Sequence, residues 1–108
     1  MNAPKHLSAE ARRIWNKMVA EWNFDDSTLM ILRQALEAFD RLNQAREAIA
    51  RDGLTVADRF GAQRAHPALI VEKDSRLALL RAWRQLGLDI EAPGQIGRPA
   101  GGGGGGRR

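Results

Sequence analysis

The sequence predicts an all-α protein, built from a long helical hairpin, a third C-terminal helix and a Gly-rich tail. Apolar residues recur at three- and four-residue steps through the first half of the chain, which is the periodicity of amphipathic helices. Gly53 and Gly87 each follow such a pattern, where glycine commonly ends a helix. We predict a helical domain over residues 1–88 and a flexible, disordered Pro/Gly-rich tail over 89–108.

The hairpin is predicted from two amphipathic segments separated by a short break. Ser8 can cap the first helix, whose apolar face is Ala11, Ile14, Trp15, Met18, Val19 and Trp22. The second helix is predicted from near Thr28 to Arg51, with Asp25, Asp26 or Ser27 as its cap. An Asp pair can also bind a metal, but no third ligand is nearby in sequence, which favours the capping role and predicts no metal.

A third helix is predicted from about Pro67 to Leu86, with Gly87 as a left-handed cap. One apolar stripe contains Leu79, Ala82, Trp83 and Leu86, whereas Ile70, Leu77 and Leu80 lie elsewhere on the cylinder. A single copy of so short a chain offers only one hairpin to cover both sides. We therefore predict a homo-oligomer with Leu77, Leu80 and Trp83 at the subunit interface; a more wrapped monomeric core is the alternative.

The basic residues are concentrated in the second half of the chain. Residues 1–58 carry 8 Lys/Arg against 9 Asp/Glu, whereas residues 59–108 carry 9 against 4. A basic half fits a nucleic acid or an acidic partner, and equally a surface that is basic for solubility alone. The absence of cysteine excludes disulfides and thiolate metal sites, and no segment is long and apolar enough to predict a signal peptide or a membrane span.

The residues available for catalysis are few. His6 and His66 are far apart in sequence, and Ser8, Ser27 and Ser75 have no base beside them. The glycines of the tail lack the strand, helix and lysine of a phosphate-binding loop. We predict a protein that is not an enzyme and needs no cofactor.

The segment GLTVADRFGAQRAHP, residues 53–67, raises the possibility of a helix-turn-helix, because Val56, Ala57, Phe60 and Gly61 have suitable residue types. In that register Pro67 falls inside the recognition helix, where proline costs about 3 kcal/mol. The segment is better interpreted as a helix stop, a polar arginine-bearing loop and a proline-led entry into the third helix. A displaced or very short second helix would keep the helix-turn-helix alternative open.

The order of these features resembles the phage terminase small subunits of the short all-helical group. The opening P-x-x-L-S-x-E-A-x-x-x-W spans Pro4 to Trp15, and the long second helix is entered through acidic residues and ends at Asp52-Gly53. A polar loop then contains Gly61 and the His66-Pro67 step, and the third helix closes in Leu86-Gly87-Leu88. The likeness covers Pro4 to Leu88; where relatives often continue into a proline-arginine ending, this chain has Asp89-Ile90-Glu91.

The resemblance implies a non-enzymatic, ring-forming component of a viral packaging motor in the cytoplasm of the bacterial host. Such a subunit recognises double-stranded viral DNA and passes it to the large terminase subunit, which holds the ATPase and nuclease. Residues 90–108 are our candidate for contact with the large subunit, and no membrane partner is implied. The alternatives are a dimeric helix-turn-helix-like DNA-binding regulator and a helical adaptor with no nucleic-acid role.

The DNA-contacting residues are predicted from charge rather than from the resemblance. The predicted set lies in the basic half of the chain, in the 53–67 segment and the third helix: Arg59, Arg64, Lys73, Arg81 and Arg84. The rival set is on the first helix: Arg12, Arg13 and Lys17.

Overall fold

The computed structural model describes residues 2–87 of the chain. Three helices and a small antiparallel sheet follow one another in the order α1, α2, β1, β2, α3. Their bounds are α1 Ala9–Glu21, α2 Asp26–Asp52, β1 Thr55–Ala57, β2 Gln63–Ala65 and α3 Ala68–Leu86. The predicted tail over 89–108, including the segment proposed for large-subunit contact, lies outside the described residues.

Helix α1 packs against the first half of α2 as an antiparallel hairpin, as the sequence predicts. Ser8 caps α1 by accepting a hydrogen bond from the Ala11 N–H. The carboxylate of Asp40, on α2, accepts hydrogen bonds from both the Ser8 N–H and the Ser8 hydroxyl. Close by, His6 Nε2 lies 2.7 Å from Glu37. Since α1 starts beside the middle of α2 and connects to its first residue, the two helices run in opposite directions.

The acidic residues before α2 are a helix cap, which confirms the capping interpretation of Asp25. Its side chain accepts hydrogen bonds from the Thr28 N–H at 2.8 Å and the Ser27 hydroxyl at 3.1 Å. These hydrogen bonds lower the pKa of Asp25, the largest contribution coming from Thr28. Within residues 2–87, no group of three or more His, Asp or Glu side chains could hold a metal ion.

Helix α3 runs back along α2. Near its start, Glu72 forms a salt bridge with Arg46 from the second half of α2, and at its end Leu86 packs with Leu32 and Leu36 from the first half. Gly87 ends α3 with a left-handed backbone, φ 63° and ψ 18°, which confirms the predicted cap. The structure thus pairs α2 with both other helices.

The main hydrophobic core lies where the three helices meet. Leu32 and Leu36 of α2 are the largest fully buried side chains, and Trp15 and Met18 of α1 cover them from one side. Leu7, before α1, closes the same cluster. In the part of the chain that the structure describes, no helix is long and apolar enough to cross a membrane.

The prediction of a polar loop over residues 53–67 is wrong in one respect, because the segment contains a β-hairpin. The described fold is therefore not purely helical. Thr55 pairs with Ala65, Val56 with Arg64 and Ala57 with Gln63. The hairpin turn has a Gly61 N–H to Asp58 carbonyl bond of 2.9 Å, and Gly61 has φ 83°. This combination is the three-residue hairpin loop that requires glycine at its left-handed position.

The same hairpin excludes the helix-turn-helix interpretation in this register. A recognition helix would have to follow Gly61, but Gln63–Ala65 form strand β2. Helix α3 begins only at Ala68, after the proline, as the sequence predicts.

Candidate nucleic-acid interface

The outward face of α3 combines basic and apolar side chains. Lys73, Arg81 and Arg84 are exposed, and none of them forms a salt bridge with another of residues 2–87. On the same face Ile70, Leu77 and Leu80 are 61%, 42% and 53% exposed. The opposite side of α3 carries its buried residues Ser75, Ala82 and Leu86. The two-sided helix predicted from sequence is therefore confirmed, with one side buried and one side open.

Trp83 occupies a different position from its two predicted interface partners. It is half-buried and packs against the core cluster, so much of its surface is already used within the subunit. Leu77 and Leu80 remain the exposed apolar residues of the predicted interface set. The role of all three in oligomer contact stays a prediction.

The two arginines predicted in the hairpin have different surroundings. Arg64 Nε lies 3.0 Å from Asp58 Oδ2, so its charge is already paired. Arg59 lies at the hairpin apex, with its guanidinium carbon 5.0 Å from the centre of the Phe60 ring. It forms no salt bridge with the other described residues, which leaves its charge available to an external anion.

Asp58 holds the turn at the apex of the hairpin. Its carboxylate accepts hydrogen bonds from the N–H groups of Phe60 and Ala62, each at 2.9 Å, as well as from Arg64. These bonds lower the pKa of Asp58, with the Arg64 bond the largest cause. The apex is therefore a fixed structure, since three donors converge on one carboxylate.

His66 attaches the base of the hairpin to the helices on both sides. Its Nδ1 accepts a hydrogen bond from the Ala68 N–H at the start of α3, which leaves the proton on Nε2. Nε2 then donates to Asp52, the last residue of α2, at 2.9 Å. Hydrogen bonds from Arg51 and then His66 lower the pKa of Asp52 to about 2. This histidine is a structural connector.

The rival basic set lies on α1, where Arg12, Arg13 and Lys17 are exposed. None of the three forms a salt bridge within the described range 2–87. Among the described residues, exposed cations without a salt bridge thus lie on α1, on the outward face of α3 and at the hairpin apex. Which of them contacts DNA stays a prediction.

The side chains with possible catalytic chemistry are engaged in structural contacts. His6 pairs with Glu37, which also accepts a hydrogen bond from Arg33 at 3.2 Å. Burial alone would raise the pKa of Glu37, but the bonds from His6 and Arg33 outweigh it and lower the pKa. Ser8 uses its hydroxyl to cap α1. These arrangements indicate stabilising roles for the residues concerned.

Sequence reasoning misses the roles of Phe60, Asp58 and His66. The sequence suggests Phe60 only as an apolar position of a helix-turn-helix, yet it is an apex residue with 81% of its surface exposed. The sequence evidence for a hairpin here is Asp58 placed three residues before Gly61, with the β-branched residues Thr55 and Val56 before it. The contact of His66 with Asp52 has no sequence signal, because the two residues are 14 positions apart.

The described residues form a small protein of three helices and a β-hairpin, with exposed basic and apolar side chains on α3 and an unpaired arginine at the hairpin apex. The family model for the small subunit of phage terminase matches residues 8–102. The chain therefore belongs to the phage terminase small subunit family, as the sequence resemblance indicated. This membership gives it a role in phage genome packaging. No curated protein and no solved structure gives a significant match to the chain.

Proposed function

We propose that this protein recognises viral DNA and regulates the large ATPase/nuclease subunit of a phage packaging motor. It acts, in this proposal, as a non-enzymatic homo-oligomeric ring in the cytoplasm of the bacterial host. Family membership supports the packaging role, and the unpaired basic side chains of α3 and the hairpin supply the anion-binding surface. The single observation that carries the proposal is the outward face of α3, which has both cations and uncovered apolar residues.

Oligomer formation is proposed to bury the apolar part of that face. Leu77 and Leu80 are at its centre, whereas Lys73, Arg81 and Arg84 share the same side of the helix. A subunit contact through the two leucines would leave the basic side chains at its polar rim. Repetition around a ring would then place the same cations at every subunit boundary, which builds a continuous positive field.

Native mass measurement tests the oligomer. We expect the wild-type protein to be a ring and Leu80→Asp to shift it to smaller species, because a charge would be buried at the contact. Met30→Asp is the matched control, because Met30 is 65% exposed and belongs to α2 rather than to α3. A Leu80→Asp protein that keeps the wild-type mass would refute this interface. A wild-type dimer would favour a regulator, and a monomer an adaptor.

Salt titration of duplex-DNA binding tests the basic surface. The triple replacement of Lys73, Arg81 and Arg84 by Ala should weaken binding and make the dependence of log affinity on log salt less steep, by about 0.9 for each DNA phosphate that is no longer neutralised. The control replaces Arg12, Arg13 and Lys17 by Ala, which removes the same charge from α1. If only the triple replacement on α1 weakened DNA binding, the DNA-binding surface would be on α1.

The two hairpin arginines predicted to contact DNA need to be tested one at a time, since Arg59 is unpaired and Arg64 is bound to Asp58. We expect Arg59→Ala to reduce the salt slope and Arg64→Ala to act mainly by loosening the turn. If replacing both arginines left the slope of log affinity against log salt unchanged, the hairpin would not be part of the DNA-binding surface.

Regulation of the large subunit is tested with a chain truncated after Leu88, which deletes the predicted contact segment 90–108. We expect the truncated protein to keep its oligomer and lose stimulation of the large-subunit ATPase. Stimulation at the wild-type level would refute the assignment of the tail as the large-subunit contact.

A further inference from the structure

The apex of the β-hairpin exposes an aromatic ring that the fold of one subunit does not use. Phe60 is 81% exposed, the highest value among the large exposed hydrophobic residues of the described chain. The core cluster is formed by Leu7 and the three helices, without a contribution from the hairpin. A single exposed apolar residue is common on protein surfaces, so the groups around this ring decide whether it can serve a partner.

The ring is held in a defined position. The Phe60 N–H donates to Asp58 Oδ1 at 2.9 Å, and the turn closes through the 2.9 Å Gly61–Asp58 backbone bond. At the other end of the hairpin, the His66 N–H donates to the Leu54 carbonyl at 2.8 Å, and the His66 ring is bonded to both flanking helices. The apex therefore loses little conformational entropy when it binds a partner, because it is already ordered.

The apex also carries a cation next to the ring. The Arg59 guanidinium lies over Phe60 at 5.0 Å, which is within cation–π distance, so a cation and an apolar ring are adjacent on the apex. The nearby carboxylate of Asp58 is directed to Arg64 and the turn amides. The net charge that the apex presents is consequently that of Arg59.

We propose that this apex is a DNA wedge, in which Arg59 contacts the phosphates bordering a groove and Phe60 inserts between adjacent base pairs. Four features support duplex DNA as the occupant: a two-stranded ribbon narrow enough to enter a groove, an unpaired arginine, an adjacent apolar ring, and a preorganised turn. The inference rests on the DNA-recognition role proposed above. It deepens that role by assigning DNA deformation to the hairpin, in addition to backbone binding by α3.

The two apex side chains should have separable effects. Arg59→Ala removes a phosphate contact, so the salt slope becomes shallower by about 0.9 per contacting copy. Phe60→Ala removes an apolar and stacking contact, so affinity falls on the order of tenfold while the salt slope is unchanged. The wedge also unstacks the bases, an effect that Phe60→Ala abolishes and that a phosphate contact alone would not produce.

The experiment uses the full-length chain and a 30-base-pair A·T-rich duplex with 2-aminopurine beside a TA step, where duplex DNA deforms most easily. The fluorescence of 2-aminopurine rises when the base is unstacked, and anisotropy of an end label gives the affinity in the same titration. The variants are Phe60→Ala, Phe60→Leu, Arg59→Ala and Arg59→Lys. Leu54→Ala is the matched control, because Leu54 is 65% exposed but lies at the hairpin base.

We expect the wild-type protein to bind and raise the fluorescence, Phe60→Ala to bind without the rise, and Phe60→Leu to retain part of it. Arg59→Lys should keep the salt slope that Arg59→Ala loses, and Leu54→Ala should behave as wild type. Far-UV circular dichroism and native mass check that each variant keeps its fold and assembly.

The outcomes separate the wedge from the broader DNA-recognition proposal. If the wild-type protein binds the duplex but Phe60→Ala and Arg59→Ala leave affinity, slope and fluorescence unchanged, the wedge is refuted and DNA recognition stands. If the wild-type protein binds neither this duplex nor phage DNA, both proposals fail. If the two variants bind and unstack DNA normally but fail to stimulate the large-subunit ATPase, the apex is a protein contact and the wedge is refuted.

Discussion

At the scale of single residues, the interaction partners decide what each charged side chain can do. Arg64 and Arg59 lie five positions apart, yet Arg64 is bound to Asp58 and Arg59 is stacked on Phe60. Asp52 is similarly committed, since it accepts hydrogen bonds from Arg51 and His66. The exposed charges that remain for a partner are therefore fewer than the composition suggests.

Asp52 should make the stability of the protein depend on pH in the acid range. Its pKa falls from 3.8 to about 2 on folding, so the folded state binds the proton less tightly than the unfolded state. The resulting stabilisation is complete above about pH 4 and is lost as the pH falls towards 2. Urea unfolding between pH 5 and pH 2 should show this loss.

Asp52→Asn should make the pH dependence over that window less steep, because this side chain can no longer titrate, whereas the other carboxylates with lowered pKa values still do. Asp74→Asn is the control, since Asp74 is exposed on α3 and forms no salt bridge within residues 2–87. Equal pH dependence in the wild type and Asp52→Asn would contradict the assignment.

Asp58 should control the local order of the hairpin apex. Asp58→Ala removes the acceptor of the Phe60 and Ala62 N–H groups and the partner of Arg64. We expect faster hydrogen exchange at those two amides, with the helices unaffected, as measured by NMR. Asp58→Asn keeps an oxygen acceptor but loses the charge, so its exchange should be intermediate. Unchanged exchange in Asp58→Ala would show that the backbone alone maintains the turn.

At the scale of elements, the caps of α1 and α2 draw on different parts of the chain. Asp25 caps the start of α2 from its own segment, whereas the cap of α1 is completed by Asp40 from another helix. In the common capping box the third helical residue supplies that second acceptor, but here the position is occupied by Ala11. The start of α1 is therefore tied to tertiary packing.

The shared cap predicts coupled effects on stability. Ser8→Ala should lower the free energy of unfolding by about 1 kcal/mol, because it removes the cap acceptor of α1. Asp40→Ala should also destabilise the protein, and the double variant should lose less than the sum of the two single changes. Ser27→Ala is the control and should cost less, since α2 keeps its Asp25 cap. Additive losses in urea unfolding would contradict the shared cap.

At the scale of the whole molecule, the small core explains both the marginal stability expected of one copy and the uncovered face of α3. The largest fully buried side chains are two leucines of α2, which contact residues of both other helices. α3 has one side in this core and Leu77 and Leu80 on the other, and a single copy leaves that second side open. The proposed ring would bury it.

Leu32 should be the most sensitive position of the core, since it is fully buried where the three helices meet. Leu32→Ala should lower the free energy of unfolding by about 2–5 kcal/mol, because it removes buried apolar surface and leaves a cavity. Met30→Ala, on the exposed side of the same helix, should change it by no more than about 0.5 kcal/mol. Similar losses for the two variants in urea unfolding would contradict this placement of the core.

Much of the fold could be predicted from local patterns. The apolar periodicity predicted the three helices, Asp25 supplied the cap of α2, and Gly87 gave the end of α3. The hairpin was missed because each strand has only three residues, too few for a clear alternating pattern. For the candidate site, the exposed leucines and basic residues of α3 were predicted from sequence, whereas the Phe60 apex was not.

The sequence by itself determined the helices, their ends, the excess of basic residues in the second half and the family resemblance, because these depend on neighbouring residues and on motif order. The tertiary structure alone decided that Asp40 completes the cap of α1, that His66 joins two helix ends, and that Arg64 is paired while Arg59 is available. The physical reason is the same in each case. A hydrogen bond or ion pair depends on distances of about 3 Å, and only the folded chain brings residues that are distant in sequence within that range.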